Sequence, residues 1–466
     1  MRPVGPSRVV HTELPGPRAR AAMQRGTFDM QAIYRSMVVD DARSLGTSLV
    51  DIDGNVFLDM SASFALGALG YNHPRLLAVA RSDAFARAAV NPTSTPFLTT
   101  ETWFDFMSAL EATYAPRGMA KIFCVDAGGE GVEAALKAAF IVHGERRRAA
   151  AGEPANPLQL AADTQTRIMD NVGTDAVIVS FSGAFHGRGL GPMTATHSKL
   201  IHKADLPAFP WPQVPFPANR WPLEQHVEEN ARLEAASLAR LEEVLAAYPN
   251  RVAGVIVEPV QSEGGDRHAS AAFYRGVQAL AHAHGAAFIV DEVQTGVCIS
   301  GKLWCHEHFD LPEPPDLVTF GKKMQLGGFF AREAWDIKQF GRMYQTRNGD
   351  RTRGMLALAT LQVVEEEGLV AHVREVGAQT LTALQALVDR HPTLLAQARG
   401  KGFLLAFDLP TPAARDEFNR RALQHGVFAS YTGANSVRLR PHLITTFAEV
   451  EEAIGVFDQV AGEMGG

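Results

Sequence analysis

Two stretches decide the fold of this chain: IVDEVQTG at residues 289–296 and VTFGKK at residues 318–323. Each begins as an apolar run and ends on a polar group, Asp291 in the first and Lys322 in the second, with Lys323 beside it. Neither run alternates apolar with polar residues, so neither reads as a strand with one wet face. A short continuous run rich in Val and Ile is the pattern of a strand covered on both faces. A carboxylate and an amine are thereby set at the ends of two buried strands.

More runs of the same kind lie upstream: KIFCVD at 121–126, AVIVSF at 176–181 and AGVIVEP at 253–259. The two opening runs extend to AAFIVDEV at 286–293 and LVTFGK at 317–322. Amphipathic helices separate them, as where Phe273, Val277, Leu280 and His284 recur at helical spacing before Gly285. Strands alternating with helices predict an α/β fold with a mostly parallel sheet flanked by helices. SLVDIDGNVFLDM at 48–60 reads as a hairpin around Asp53-Gly54. The polar region 144–165 reads as a helix end and a surface loop. From about residue 355 a second, smaller α+β unit follows, with strands GFLLAFDL at 402–409 and SVRLRPHL at 436–443. Thr446 and Glu449 form a capping box before its last helix.

At 466 residues the chain is long enough for one large domain and a smaller one. Its net charge of -7 and the lack of a basic stripe argue against a nucleic-acid partner. No apolar run is long enough to span a membrane. Three cysteines, odd and sparse, fit a reducing, cytoplasmic setting without a disulfide framework. The first 25 residues carry Arg2, Arg8, Arg18, Arg20 and Arg25 and are nearly free of acids. That could suggest a transit peptide. Pro3, Pro6, Pro15 and Pro17 favour an irregular arm instead.

DAGGEGVEAALKAAF at 126–140 reads as a strand end, a glycine-rich turn and a helix. Gly128, Gly129 and Gly131 would let backbone N–H groups point at an anion at the helix N-terminus. With neither a Walker lysine nor G-x-G-x-x-G, a compact phosphate monoester fits better than a nucleotide. In SFSGAFHGRGLG at 180–191, Phe185 could stack on a planar ring and Arg188 could hold a carboxylate. Their other reading is a core phenylalanine and a surface arginine. Glu258, Glu263, Arg438 and Arg440 read as acid/base groups, as a polar gate or as structural ion pairs. Cys305-His306-Glu307-His308 lacks metal-ligand spacing, and no metal is expected. A buried lysine and a buried acid beside a phosphate turn are what pyridoxal 5'-phosphate needs. The lysine forms a Schiff base, and the acid keeps the ring nitrogen protonated.

Together these motifs resemble the fold-type I, class III aminotransferases, the ω-aminotransferase group. The 4-aminobutyrate aminotransferases are the most similar branch and the L-lysine 6-aminotransferases come next. The resemblance runs through ELPGPRAR, VDIDGNVFLDM, GYNHP, SGAFHGR, THSKLIHK, EPVQSEGGD, IVDEVQTG, TFGKKM, GGFF and VRLRP. It implies a small-domain arm and hairpin segment over 1–75, a large cofactor-binding domain over 76–350 and a small domain over 351–466. It makes Lys322 the Schiff-base lysine and proton shuttle, and Asp291 the partner of the ring nitrogen. Gln294 would contact the ring's phenolic oxygen, with Val293 and Phe185 on its two faces. Gly128 and Gly129 would hold the phosphate, joined by Thr346 from a neighbouring subunit, which implies a homodimer. Arg188 would bind the donor carboxylate, and Glu258 would sit near the donor amine. Glu263 and Arg438 would form a gate for the α-carboxylate of 2-oxoglutarate or glutamate. The implied reaction is ping-pong transfer of a terminal amino group to 2-oxoglutarate.

Three positions depart from the family pattern. Ala127 and Glu130 stand where animal 4-aminobutyrate aminotransferases have cluster-binding cysteines, so no iron–sulfur cluster is expected. Arg347 follows the phosphate threonine where tryptophan is usual. Phe64 replaces a smaller aliphatic residue and matches the lysine enzymes. The donor therefore reads as 4-aminobutyrate, with lysine as the alternative. A pyridoxal-phosphate-binding protein without catalysis is a third reading.

Overall fold

A computed structural model describes residues 3–25, 29–34, 36–91 and 97–465; Arg2 of the arm lies outside them. The chain divides into two compact units. One comprises Met1–Arg87, Val297–Leu303 and Leu356–Gly466, and the other Ala88–Gly296 and Trp304–Met355.

In the first unit, β1 (Ser48–Val50) pairs antiparallel with β2 (Val56–Asp59). The connection is longer than a two-residue turn. Asp51 Oδ1 accepts the N–H groups of Asp53 at 2.9 Å and Asn55 at 2.8 Å, and Gly54 supplies a φ of 89°. The arm is more ordered than its prolines suggest, with a helix over Pro17–Met23. Pro17 sits where a missing N–H costs nothing. Both oxygens of Asp53 accept the next two N–H groups, from Arg18 and Ala19, at 2.8 Å each.

The second unit is built on one sheet. Its strands are β3 (Lys121–Val125), β4 (Val177–Phe181), β5 (Gln213–Val214), β6 (Val252–Val257), β7 (Ala287–Asp291), β8 (Leu317–Phe320) and β9 (Gly327–Ala331). They lie in the order β3-β9-β8-β7-β6-β4-β5. The five expected strands are present; β4 ends at Phe181 as expected, and the other four end one or two residues early. Sequence reading missed β9, which lies antiparallel between β3 and β8. Its run GGFFA is short and starts with two glycines, a weak strand signal. β3 is an edge strand, and Lys121 at its start is exposed, so this run is not covered on both faces.

Within the apolar runs, alternate residues serve opposite faces. Ile178, Ile256 and Ile289 pack with Val132, Ala135, Leu136 and Ala139 of the helix Gly128–Ala150. Val179, Val255, Val257, Phe288 and Val290 pack with Leu241, Val244 and Leu245 of the helix Val227–Ala247. Phe273, Tyr274 and Val277 of the helix Ala271–Ala283 join the same layer. Each fully buried aliphatic side chain contributes about 1.5–3 kcal/mol, so both layers are strongly held. The region 144–165 proves partly helical: the helix Gly128–Ala150 runs on to Ala150, and another spans Ala162–Met169.

In the first unit, β10 (Ala396–Lys401), β11 (Leu404–Asp408), β13 (Ser430–Thr432) and β14 (Ser436–Leu439) form a sheet in the order β10-β11-β14-β13. β12 (Val427–Phe428) joins β2 instead, in parallel. The capping box forms: Thr446 N–H donates to Glu449 Oε2 at 2.7 Å, and Glu449 N–H returns to Thr446 Oγ1 at 3.4 Å. Among the described residues, no helix is long and apolar enough to cross a membrane.

Candidate active site

Asp291 is the last residue of β7 and is almost fully buried. Three donors converge on its carboxylate. His186 Nδ1 lies 2.8 Å from Oδ2, and Thr319 Oγ1 lies 2.9 Å from Oδ1. Val293 N–H donates to Oδ1 at 3.1 Å, which turns the chain at the strand end. The parallel register pairs Asp291 with Thr319, so β8 presents that hydroxyl directly to the acid. Neither His186 nor Thr319 had been assigned a role. A lone threonine inside the apolar run LVTFGK, beside a strand ending in Asp, was the available signal.

Lys322 follows β8, half-buried, and opens a short turn over Lys322–Met324. Its φ is 48°, an unusual conformation for a side-chain-bearing residue. Such outliers cluster at functional sites. Lys323 is buried, and its ammonium donates to the carbonyl of Gln294 at 2.7 Å. That contact tethers the turn after β7 to the turn after β8.

The glycine-rich segment opens the helix Gly128–Ala150 directly. Gly128 and Gly129 are its first two residues, where N–H groups have no intrahelical acceptor. Gly131 does not share that role, because its N–H donates to the Ala127 carbonyl at 3.0 Å. Its need for glycine is steric: an added Cβ would lie 2.6 Å from the backbone nitrogen of Gly328. A Cβ on Gly128 would strike Val293 Cγ1 at 2.5 Å, whereas one on Gly129 would meet only Gly187 Cα at 3.9 Å. Glu130 accepts the Asp126 N–H at 3.2 Å. Arg347 Nε lies 3.5 Å from Asp126 Oδ2, and Arg347 also pairs with Asp350. Burial, opposed by Arg347, raises the Asp126 pKa, and the nearby Glu130 carboxylate adds to the rise.

Glu258 is buried, and its oxygens accept the N–H groups of Phe185 at 2.9 Å and Ser262 at 3.3 Å. Burial pushes its carboxyl well above the usual range; the Asp291 charge adds to this, and the two N–H donors oppose it. Its direct action is to fix the backbone that carries Phe185. Phe185 is half-buried, and the exposed Arg188 has its guanidinium carbon 5.7 Å from that ring. Glu263 forms an ion pair with Lys199, a partner that sequence reading did not name. His306 Nδ1 lies 2.8 Å from Glu292 Oε1, and Glu292 also accepts the N–H groups of Cys305 and His306. That cluster is a buried hydrogen-bond network.

Arg438 of β14, in the other unit, is buried, and its Nε lies 3.3 Å from Ser430 Oγ. Its guanidinium carbon is 5.5 Å from the Phe64 ring centroid. Phe64 sits in a left-handed turn in which Ala62, Ser63, Phe64 and Ala65 have φ of 42°, 50°, 61° and 65°. Each such residue costs roughly 1–2 kcal/mol. Thr346 is exposed, on the segment that ends at Asp350.

These residues fit pyridoxal phosphate. The N–H groups of Gly128 and Gly129, which have no intrahelical acceptor at the start of a long helix, suit a phosphate. A buried acid held at both oxygens suits a protonated ring nitrogen, and Lys322 has the amine that a Schiff base requires.

The chain matches the family model described as "Aminotransferase class-III" over residues 30–461. It is 36% identical to mitochondrial 4-aminobutyrate aminotransferase of Mus musculus, covering 94% of this chain and 87% of that protein. It is 37% identical to 4-aminobutyrate aminotransferase of Emericella nidulans, covering 93% and 86%. Among solved structures, lysine aminotransferase from M. tuberculosis superposes with a TM-score of 0.84 at 31% identity, covering 97% of this chain and 99% of that one. A match across most of the sequence, with relatives above 30% identity spanning more than nine tenths of it, makes this chain a member of the class III aminotransferases, which depend on pyridoxal phosphate.

Proposed function

We propose that the protein transfers the terminal amino group of an ω-amino acid such as 4-aminobutyrate to 2-oxoglutarate, giving a semialdehyde and glutamate. The observation that carries this reading is the sustained similarity to 4-aminobutyrate aminotransferases over nearly the whole chain. Lysine is the second donor, favoured by the superposition on a lysine aminotransferase and by Phe64.

When bound, pyridoxal phosphate supplies the aldehyde for Schiff-base formation and a protonated ring that accepts electrons. Gly128 and Gly129 would bind its phosphate, and Asp291, oriented by His186 and Thr319, would pair with its ring nitrogen. Val293 and Phe185 would confine the ring, and Gln294 would contact its phenolic oxygen. Lys322 would hold the cofactor's aldehyde and, with its amine free, would be the general base that takes a proton from the substrate carbon bearing the amino group. Arg188 binds the donor carboxylate, and Glu258 steadies the Phe185 loop beside it. Glu263 is a carboxylate that an incoming anion would repel, and Lys199 tempers that charge. Arg438 binds the α-carboxylate of the keto acid. One enzyme form accepts amine and the other keto acid, so the kinetics are ping-pong.

The reading includes a homodimer in which Thr346 reaches the partner's phosphate. Thr346 is exposed on the same segment as Tyr344, which packs edge-on against Phe97 at 4.8 Å in an exposed aromatic cluster with Phe340. It includes the division at residues 75 and 350, no iron–sulfur cluster, and a cytoplasmic setting suggested by the sparse, odd count of three cysteines, all buried. Incubating the holoenzyme with 2-oxoglutarate and each amine in turn, and measuring glutamate, tests the reading. Glutamate from 4-aminobutyrate supports the first donor, and glutamate from lysine alone supports the second. Turnover of neither would sink both.

A further inference from the structure

Asp291 and Lys322 stand at the carboxyl ends of β7 and β8, and the opposite ends of the same strands carry a second cluster of charges. Ala286 precedes β7, Asp316 precedes β8, and Arg332 follows the antiparallel β9. A cavity of about 240 Å³ opens there, and its walls include Arg146, His282, Glu313, Asp316, Arg332 and Trp335. The helix Gly128–Ala150 runs from one end of the sheet to the other: Gly128 opens it in the candidate active site, and Arg146 lies near its close at this cavity.

Asp316 is buried, and its carboxylate is fully engaged. Its Oδ1 accepts the Trp335 indole N–H at 2.8 Å and lies 3.4 Å from Arg332 Nη1. Its Oδ2 accepts the Phe288 N–H at 2.8 Å and lies 2.8 Å from His282 Nε2. A carboxylate offers about four lone-pair sites, so little capacity is left. Arg332 also pairs with Glu313 at 2.8 Å. The acids of the cavity are thus matched by Arg332 and His282.

Arg146 is the cation left over. Its guanidinium carbon lies 4.2 Å from the centroid of the Trp335 ring, and that ring is almost fully buried. Among the described residues no carboxylate forms an ion pair with Arg146, and Nη2 makes one long hydrogen bond, to the Ala334 carbonyl at 3.4 Å. A guanidinium over a ring gives the ring its face and leaves its in-plane N–H edge to other partners. That edge matches a carboxylate in two parallel hydrogen bonds. The acids in the walls repel an added anion, and a dianion such as phosphate about twice as strongly as a monoanion. Water takes roughly 30 Å³ per molecule, so the cavity also has room for a short carbon chain.

We propose that Arg146, seated on Trp335, anchors a second small-molecule site that takes a small monocarboxylate at the end of the sheet opposite to Lys322. The proposal goes beyond the aminotransferase reading and does not depend on it.

The test uses holoenzyme in which the five tryptophans are replaced by 5-fluorotryptophan, read by fluorine NMR. The Trp335 signal is identified by its absence in Trp335→Phe or Trp335→Tyr. Sodium propionate, and separately inorganic phosphate, is exchanged for sodium chloride at constant ionic strength. Propionate should move the Trp335 signal saturably, with a dissociation constant on the order of millimolar. Phosphate should bind more weakly. Arg146 is exposed, so its variants should fold. Arg146→Gln should weaken propionate about 10-fold, and Arg146→Lys, which keeps the charge without the planar fork, should fall between. No saturable movement, or an unchanged dissociation constant in Arg146→Gln, would overturn the site. Phosphate binding as tightly as propionate would overturn its assignment to a monocarboxylate.

Discussion

His186 Nδ1 sits 2.8 Å from Asp291 Oδ2, with both side chains buried at the carboxyl end of the parallel strands. The acid and the histidine come from separate strand ends, and the Thr319 hydroxyl holds the other oxygen. Asp291 is thus held at both of its carboxylate oxygens. A hydrogen bond to a charged group contributes about 1.5–3 kcal/mol, so His186→Ala should lower kcat/KM about 10- to 100-fold. His186→Gln, which keeps a donor, should recover part of the loss. Unchanged kcat/KM in His186→Ala would show that Asp291 needs no such support.

The glycine-rich turn at Gly128–Gly131 separates two uses of glycine. Gly131 touches the backbone of β9, so Gly131→Ala should destabilise the fold by about 1–3 kcal/mol, seen as a lower midpoint in urea. Gly129→Ala has room for its methyl and should leave that midpoint nearly in place. A reversed order of the two midpoints would contradict the packing described for this turn.

His282 Nε2 lies 2.8 Å from Asp316 Oδ2, and the pair gives stability a defined pH window. The Asp316 bond raises the His282 pKa above its ordinary value, against the effect of burial. Stability from the histidine is therefore fully present below about pH 6.5 and is lost as pH rises through its folded value. Burial works to raise the Asp316 pKa, but His282 and the Phe288 N–H outweigh it and hold the carboxyl low. Stability from the acid is present above about pH 4 and is lost as pH falls through its folded value. The pair should contribute most between about pH 4 and 6.5. Chemical denaturation of His282→Ala across pH 5–8 should show its largest deficit at the acid end and a shrinking one at the alkaline end. A deficit constant with pH would refute the linkage.

Arg347 bridges Asp126 at the glycine-rich turn and Asp350 just before the helix Arg351–Glu366. Its side chain is 62% exposed, so solvent and salt screen the bridge. Exposed pairs contribute roughly 0.2–1 kcal/mol. Arg347→Ala should weaken cofactor binding by no more than about 5-fold at low salt, and the effect should fade at high ionic strength. A loss above 50-fold that survives high salt would mean that Arg347 contacts the phosphate itself.

Much of this architecture was legible in the sequence because the Val- and Ile-rich runs had to be strands covered on both faces. The capping box at Thr446 and Glu449 formed as written because it depends on four adjacent residues. What escaped depended on partners distant in sequence. β9 is a strand because β3 and β8 supply its hydrogen bonds, and its glycines let the backbone of Gly131 approach. The helix Pro17–Met23 depends on Asp53, well downstream. In the site, the types of Asp291 and Lys322 were readable, but the contacts of His186, Thr319 and Lys199 came from chain crossings that no local pattern encodes. The left-handed turn at Phe64 was hidden for the same reason, since its cap is the buried Asp59.

Lys322 carries the central claim, and a single half-reaction tests it. Wild-type holoenzyme and Lys322→Ala loaded with pyridoxal phosphate are each mixed with 4-aminobutyrate, or with lysine, without keto acid, and the released semialdehyde is counted per subunit. The account predicts about one equivalent per subunit from the wild type with one of these amines and none from Lys322→Ala, because it makes Lys322 the group that moves the proton. Release of a full equivalent from Lys322→Ala at the wild-type rate would contradict it.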